Sequence, residues 1–143
     1  MIKFLNHDRS FHSREKTAIR HFIENLFKRE GRETGCIQYI FCSDDYLLGI
    51  NRDFLNHDYY TDIITFDLSD REKVEAEIYI SVERVKDNAR TFGTGYRQEM
   101  LRVIFHGALH LCGYGDKTKR EITLMRQKES EYLRLFEKAN PRP

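Results

Sequence analysis

Between Tyr96 and about Cys112 the chain carries Met100, Leu101, Val103, Ile104, Phe105, Ala108, Leu109 and Leu111. At helical spacing these residues cover most of a helix's circumference, and a helix of that kind has to be surrounded by other elements. In a chain of 143 residues that helix sets the plan, because everything else must pack around it. A chain of this length buries a real core without disulfides. Gly113 follows as the expected C′ residue, free to take positive φ and to turn the chain back.

The flanking elements read as follows. A first helix is expected after Ser13, with Ile19, Phe22, Ile23, Leu26 and Phe27 on one face and a stop at Gly31. Cys36 to Ser43 is aromatic and β-branched, which reads as a strand. Ser43-Asp44-Asp45 caps a second helix carrying Leu47, Leu48, Ile50, Phe54 and Leu55. Strands are expected at Asp62–Leu68 and Glu77–Ser81, and one more at Ile2–Leu5. Ser81 caps a third helix that Gly93 ends, and Thr118-Lys119-Arg120-Glu121 has the form of a capping box opening the last. That last helix sets Ile122, Met125, Tyr132, Leu133 and Phe136 on its apolar stripe. Helices and strands mix without strict βαβ alternation. The expected class is α+β: a small mixed sheet of about four strands with about five helices, one domain over residues 1–143.

Composition removes several classes of function. The 24 basic side chains nearly cancel the 23 acidic ones, for a net charge of +1, so RNA would be held by a local patch rather than by a general basic coat. Cys36, Cys42 and Cys112 form no CxxC, which argues against a disulfide scaffold and a cysteine-only zinc site and favours a reducing cytoplasm. No signal-peptide core and no apolar run long enough for a membrane span is present, so no membrane partner is expected.

The chemistry concentrates in His106-Gly-Ala-Leu-His110-Leu-Cys-Gly113-Tyr-Gly-Asp116. Residues four apart on a helix share one face, with Cβ atoms about 5–6 Å apart, so two imidazoles can meet one cation. The chain reversal at Gly113 can return Asp116 to the same point. Two imidazoles and a carboxylate are an acceptable zinc set, and three protein ligands leave a position open for water or substrate. Spacing alone leaves a second reading open, two packed or half-exposed histidines on an apolar helix. The HExxH protease route is disfavoured, because Gly107 stands where that motif has its glutamate base.

HGALHLCGYGD resembles the HGxLHLxGYDH signature of the YbeY-type endoribonucleases, metal-dependent rRNA maturation factors. Ile50-Asn51 followed by Asp58 to Phe66 is similar to the family's LN…KDxPTDVLSF stretch, and Glu77-Ile-Tyr-Ile-Ser81 to its GDIxIS strand. Arg97-Gln-Glu-Met-Leu leads into the histidine helix as the family's HxxxREL-type run does. The resemblance spans roughly residues 47–130. It implies an α+β fold, one bound Zn²⁺, hydrolytic cleavage of single-stranded RNA, and work on small-subunit rRNA and ribosomal subunits.

Three departures are visible. Asp116 stands where the family's third histidine ligand usually does, Leu55 where the family has an arginine thought to face substrate, and Tyr60 where it has a proline. The expected ligands are His106, His110 and Asp116, with metal-bound water as the attacking group. Asp62 and His57 are the candidates for proton transfer, and Arg52, Thr61, Arg97 and Lys117 for substrate binding. For Thr61 and Asp62 a strand-opening turn is the competing role. Tyr59, Tyr60, Tyr79 and Tyr114 are available for base stacking, although strand aromatics more often pack. Two rivals stand beside the nuclease: a non-catalytic metal-binding ribosome-assembly factor, and another metallohydrolase.

Overall fold

The computed structural model, which describes residues 1–142, contains four short strands and five helices. The order is β1 (Ile2–Asn6), α1 (Lys16–Arg29), β2 (Thr34–Cys42), α2 (Asp44–Leu55), β3 (Ile63–Asp67), β4 (Val74–Ser81), α3 (Val82–Phe92), α4 (Tyr96–Leu111) and α5 (Lys119–Ala139). The sheet runs β1-β2-β4-β3. β1 and β2 are parallel, as are β2 and β4, while β3 lies antiparallel to β4 at one edge. This is the mixed four-strand, five-helix α+β architecture that the sequence implies.

Alternation along the strands builds two layers. Ile37, Tyr39 and Phe41 of β2 and Val74, Ala76, Ile78 and Ile80 of β4 are buried in one cluster with α1, α4 and α5. Ile64, Cys42, Leu47 and Ile50 form a smaller cluster beneath α2, with Phe66 and Tyr79 packed against it. Ile63 pairs with Ile80 and Ile64 with Tyr79, so β3 sends Ile63, Thr65 and Asp67 toward α4 and the intervening residues toward α2. α4 is the central helix: ten of its residues are buried. Tyr39 donates a hydrogen bond from its hydroxyl to the Ile104 carbonyl at 2.8 Å, pinning that helix to the sheet. Gly107 lets it approach closely, since a Cβ there would stand 3.0 Å from Ile63 Cδ1 and 3.3 Å from Ile78 Cγ2.

Caps account for most boundaries. Ser43 and Ser81 accept from the backbone of Tyr46 and Arg84, Thr118 and Glu121 close a full capping box, and Gly93 and Gly113 take positive φ. Several expectations need correcting. Ser13 does not cap α1; its hydroxyl accepts from the Glu15 amide at 3.0 Å, closing a turn before the helix starts. β2 starts at Thr34, ahead of the expected Cys36, across a register shift between Thr34 and Ile37. β4 starts at Val74 rather than Glu77, because Val74 and Ala76 already alternate inward while Glu75 between them points away. Phe54 is 71% exposed and Leu55 39%, since α2 rests on the sheet through Leu47 and Ile50. Ile122 is 44% exposed and lies off the stripe of α5, where Glu129 takes a buried position instead.

Candidate metal centre

His106 and His110 occupy the last two turns of α4, on the side that looks past the β3 edge. The helix closes with the Cys112 amide bonded to the Ala108 and Leu109 carbonyls, and Gly113 at φ 101° reverses the chain. Tyr114 returns its amide to the Leu109 carbonyl at 3.1 Å, which carries Asp116 back over the histidines. Asp116 Oδ2 then lies 3.1 Å from His110 Nε2 and 3.5 Å from His106 Nε2. One donor atom from each residue falls within 4.8 Å of the other two.

The opposite ring nitrogens decide what this cluster can do. His106 Nδ1 is 2.6 Å from Glu129 Oε2, and His110 Nδ1 is 2.8 Å from the Tyr114 carbonyl. A carboxylate and a carbonyl can only accept, so each Nδ1 carries the proton and donates. In the neutral form of either ring that leaves Nε2 as the lone-pair atom, and both Nε2 atoms face Asp116 Oδ2. Two imidazole nitrogens and a carboxylate oxygen converging in this way are a ligand set suited to a divalent cation, and acceptors fixing the distal nitrogens are the usual support of metal-binding histidines. The residues present fit such an ion. Cys112 sits beside them, but burial pushes its thiol up to about 12, so it offers no thiolate.

Beneath the histidines lies a buried charge network. Glu129 is 1% exposed. Its Oε1 accepts from Arg102 Nη1 at 3.1 Å and Arg126 Nη1 at 3.2 Å. Burial alone would raise the Glu129 pKa; hydrogen bonding to His106 and the charge of Arg102 outweigh it and hold the carboxyl below its ordinary value. Arg102 also binds Glu99 through Nε at 3.0 Å and through Nη2. Burial works against the Arg102 charge, but those two carboxylates raise its pKa above the ordinary value.

An open cleft of about 480 Å³ runs over this centre. Its walls are the β3 side (Thr61, Asp62, Thr65, Asp67), the end of α4 and Arg126 of α5. Asp62 is partly buried there, and desolvation raises its pKa despite the opposing charge of Arg102. Its Oδ2 accepts from Asn88 Nδ2 at 3.3 Å. Thr61 also lines the cleft while its hydroxyl bonds the Ile63 carbonyl at 3.3 Å, the local strand-opening bond.

The other residues singled out by sequence lie elsewhere. His57 is exposed and stacks on Tyr59 with ring centroids 5.1 Å apart. Arg52 is exposed and ion-paired with Asp58. Arg97 opens α4, about 13 Å of helix rise from His106, and its guanidinium is taken by Glu15 at 2.7 Å and by Glu137. Lys117 is exposed beside Asp116, and its backbone amide donates to Glu121 Oε1 at 3.2 Å. None of the four lines the cleft. Tyr114 donates to Glu30 at 2.7 Å, Tyr79 packs under α2, and Tyr60 lies beneath Arg84 at 5.0 Å. The sequence reading missed Glu129, although an acid on the stripe Met125, Glu129, Tyr132, Phe136 was the available signal.

Fold and site together define a small α+β protein with two imidazoles and a carboxylate converging at the end of its central helix. The profile of the Endoribonuclease YbeY family matches residues 1–137, and the chain belongs to that family. Proteins named Endoribonuclease YbeY from Flavobacterium psychrophilum and Cytophaga hutchinsonii are 46% and 48% identical, over 95% and 94% of this chain and 96% and 94% of theirs. A Thermotoga maritima protein solved in solution superposes with a TM-score of 0.71 at 29% identity, covering 99% of this chain and 94% of that one. The family is one of metalloenzymes, and its activity is that of an endoribonuclease, a hydrolase acting on RNA phosphodiester bonds. RNA is therefore the substrate. Among the described residues no helix is long and apolar enough to cross a membrane.

Proposed function

We propose that residues 1–143 act as one zinc-dependent, single-strand-specific endoribonuclease domain that matures small-subunit rRNA on ribosomal subunits in the cytoplasm. The observation that carries this reading is the convergence of His106 Nε2, His110 Nε2 and Asp116 Oδ2 on one point of the cleft floor. A divalent ion bound there supplies Lewis-acid chemistry, drawing charge from a phosphate oxygen and making water more acidic.

The chain's own groups do the remaining work. Glu129 and the Tyr114 carbonyl hold the protons on the distal nitrogens, which keeps both Nε2 atoms basic and fixed in direction. Asp62, with its raised pKa, is the cleft carboxyl suited to carrying a proton to or from the reacting phosphodiester. Thr61 and Asp62 stand where a bound strand would pass, whereas Arg52, His57, Arg97 and Lys117 are offered to substrate only if it extends beyond the cleft. A protease reading finds no room: Gly107, the position of a HExxH base, faces Ile63 and Ile78 rather than the cleft.

The test is cleavage of single-stranded RNA by wild type, by chelator-stripped protein with zinc add-back, and by His110→Ala. Stripped protein and His110→Ala should lose turnover, zinc should restore the first but not the second, and duplex RNA should resist. Undiminished cleavage in metal-free protein would sink the proposal. RNA binding without turnover by zinc-loaded wild type would leave the non-catalytic assembly factor in its place.

A further inference from the structure

An RNA strand in the cleft brings phosphates, and the cleft must offer them positive charge. Its β3 wall cannot: the polar groups there are Thr61, Thr65, Asp62 and Asp67. Among the described residues only two cationic side chains line it, Arg102 and Arg126. Arg102 is spent. Its three nitrogens are engaged by Glu99 and Glu129, and its side chain is only 18% exposed. Arg126 differs in both respects. Its side chain is 59% exposed, and a single nitrogen, Nη1, touches Glu129 at 3.2 Å. That contact orients the guanidinium without using it up, because Glu129 already holds Arg102 and His106. The planar fork keeps donors free for two phosphate oxygens.

We infer that Arg126, on the α5 wall, is the phosphate-binding residue of the cleft, gripping the RNA backbone opposite β3. This rests on the nuclease reading above. The strand then enters with its phosphates toward α5 and its sugars and bases toward the carboxylates and hydroxyls of β3. Since Arg126 lies on the surface of its helix, removing it opens no cavity.

The experiment compares wild type with Arg126→Ala, Arg126→Lys and Arg134→Ala, an exposed cation of the same helix outside the cleft. Arg126→Ala should lower kcat/KM on single-stranded RNA about tenfold, the worth of one charge-assisted hydrogen bond. In anisotropy titrations of a fluorescent oligoribonucleotide, its log–log salt slope should be shallower by about 0.7, one phosphate contact. Arg126→Lys should keep the wild-type slope and recover part of the rate, and Arg134→Ala should match wild type. Zinc affinity by chelator competition should not change in any of them. An Arg126→Ala protein with wild-type rate and slope would overturn the inference, as would a loss of zinc affinity in step with activity, which would make the residue a support for Glu129. If wild type itself neither binds nor cuts RNA, the nuclease reading fails, and this inference with it.

Discussion

Glu129 illustrates how much one buried atom pair decides. A carboxylate inside an apolar helix stripe is costly unless partnered, and here it meets His106, Arg102 and Arg126 at once. Replacing it with alanine leaves Arg102 short of a counter-charge and frees the His106 ring to change tautomer. Glu129→Ala should therefore weaken zinc binding about 10–100-fold and cost about 3–5 kcal/mol of stability. Glu129→Gln keeps an acceptor for Nδ1 and should retain more of the affinity. Chelator competition and urea unfolding measure the two losses separately, and an alanine variant with unaltered zinc affinity would show that the hydrogen bond does not orient the ligand.

At the scale of elements, the join between α4 and the sheet explains the glycine inside the histidine motif. Gly107 lies where α4 packs tightly on β3 and β4, one residue from His106 and three from His110. Introducing the protease base as Gly107→Glu would drive a carboxylate between Ile63 and Ile78. The expected result is destabilisation of at least about 3 kcal/mol, from overpacking and an unpaired buried charge, with no gain of peptidase activity. Thermal unfolding and a casein-cleavage assay check it; a stable Gly107→Glu protein would mean that the helix can lift away from the sheet.

Across the whole molecule, Arg97 ties α1 to α4 and α5 through Glu15 and Glu137, at the end of the central helix remote from His106 and His110. The hydrogen bond from Arg97 holds the Glu15 carboxyl below its ordinary value of 4.5, against an opposing desolvation. A depressed folded-state pKa means stability that is fully present above about pH 4.5 and lost as pH falls through the lowered value. Glu15→Gln should therefore be less stable than wild type near neutral pH, and the gap should close by about pH 3. Urea unfolding at the two pH values is the measurement, and a gap that persists unchanged in acid would assign the loss to packing instead of charge. Much of this molecule is set by local chemistry: period and capping residues specify where α2, α3, α4 and α5 begin and where α3 and α4 end, and the spacing His106, His110, Gly113, Asp116 lets two imidazoles and a carboxylate converge. Those features depend on a helix's own geometry and on a glycine's freedom at positive φ, which neighbours in sequence suffice to define. The sequence by itself could not say that Arg97 faces away from the cleft, that Arg126 faces into it, or that Glu129 holds His106 from 23 residues further along the chain. Such pairings are set by how α5 docks on α4 and β3 on β4, and docking depends on contacts summed over the entire core.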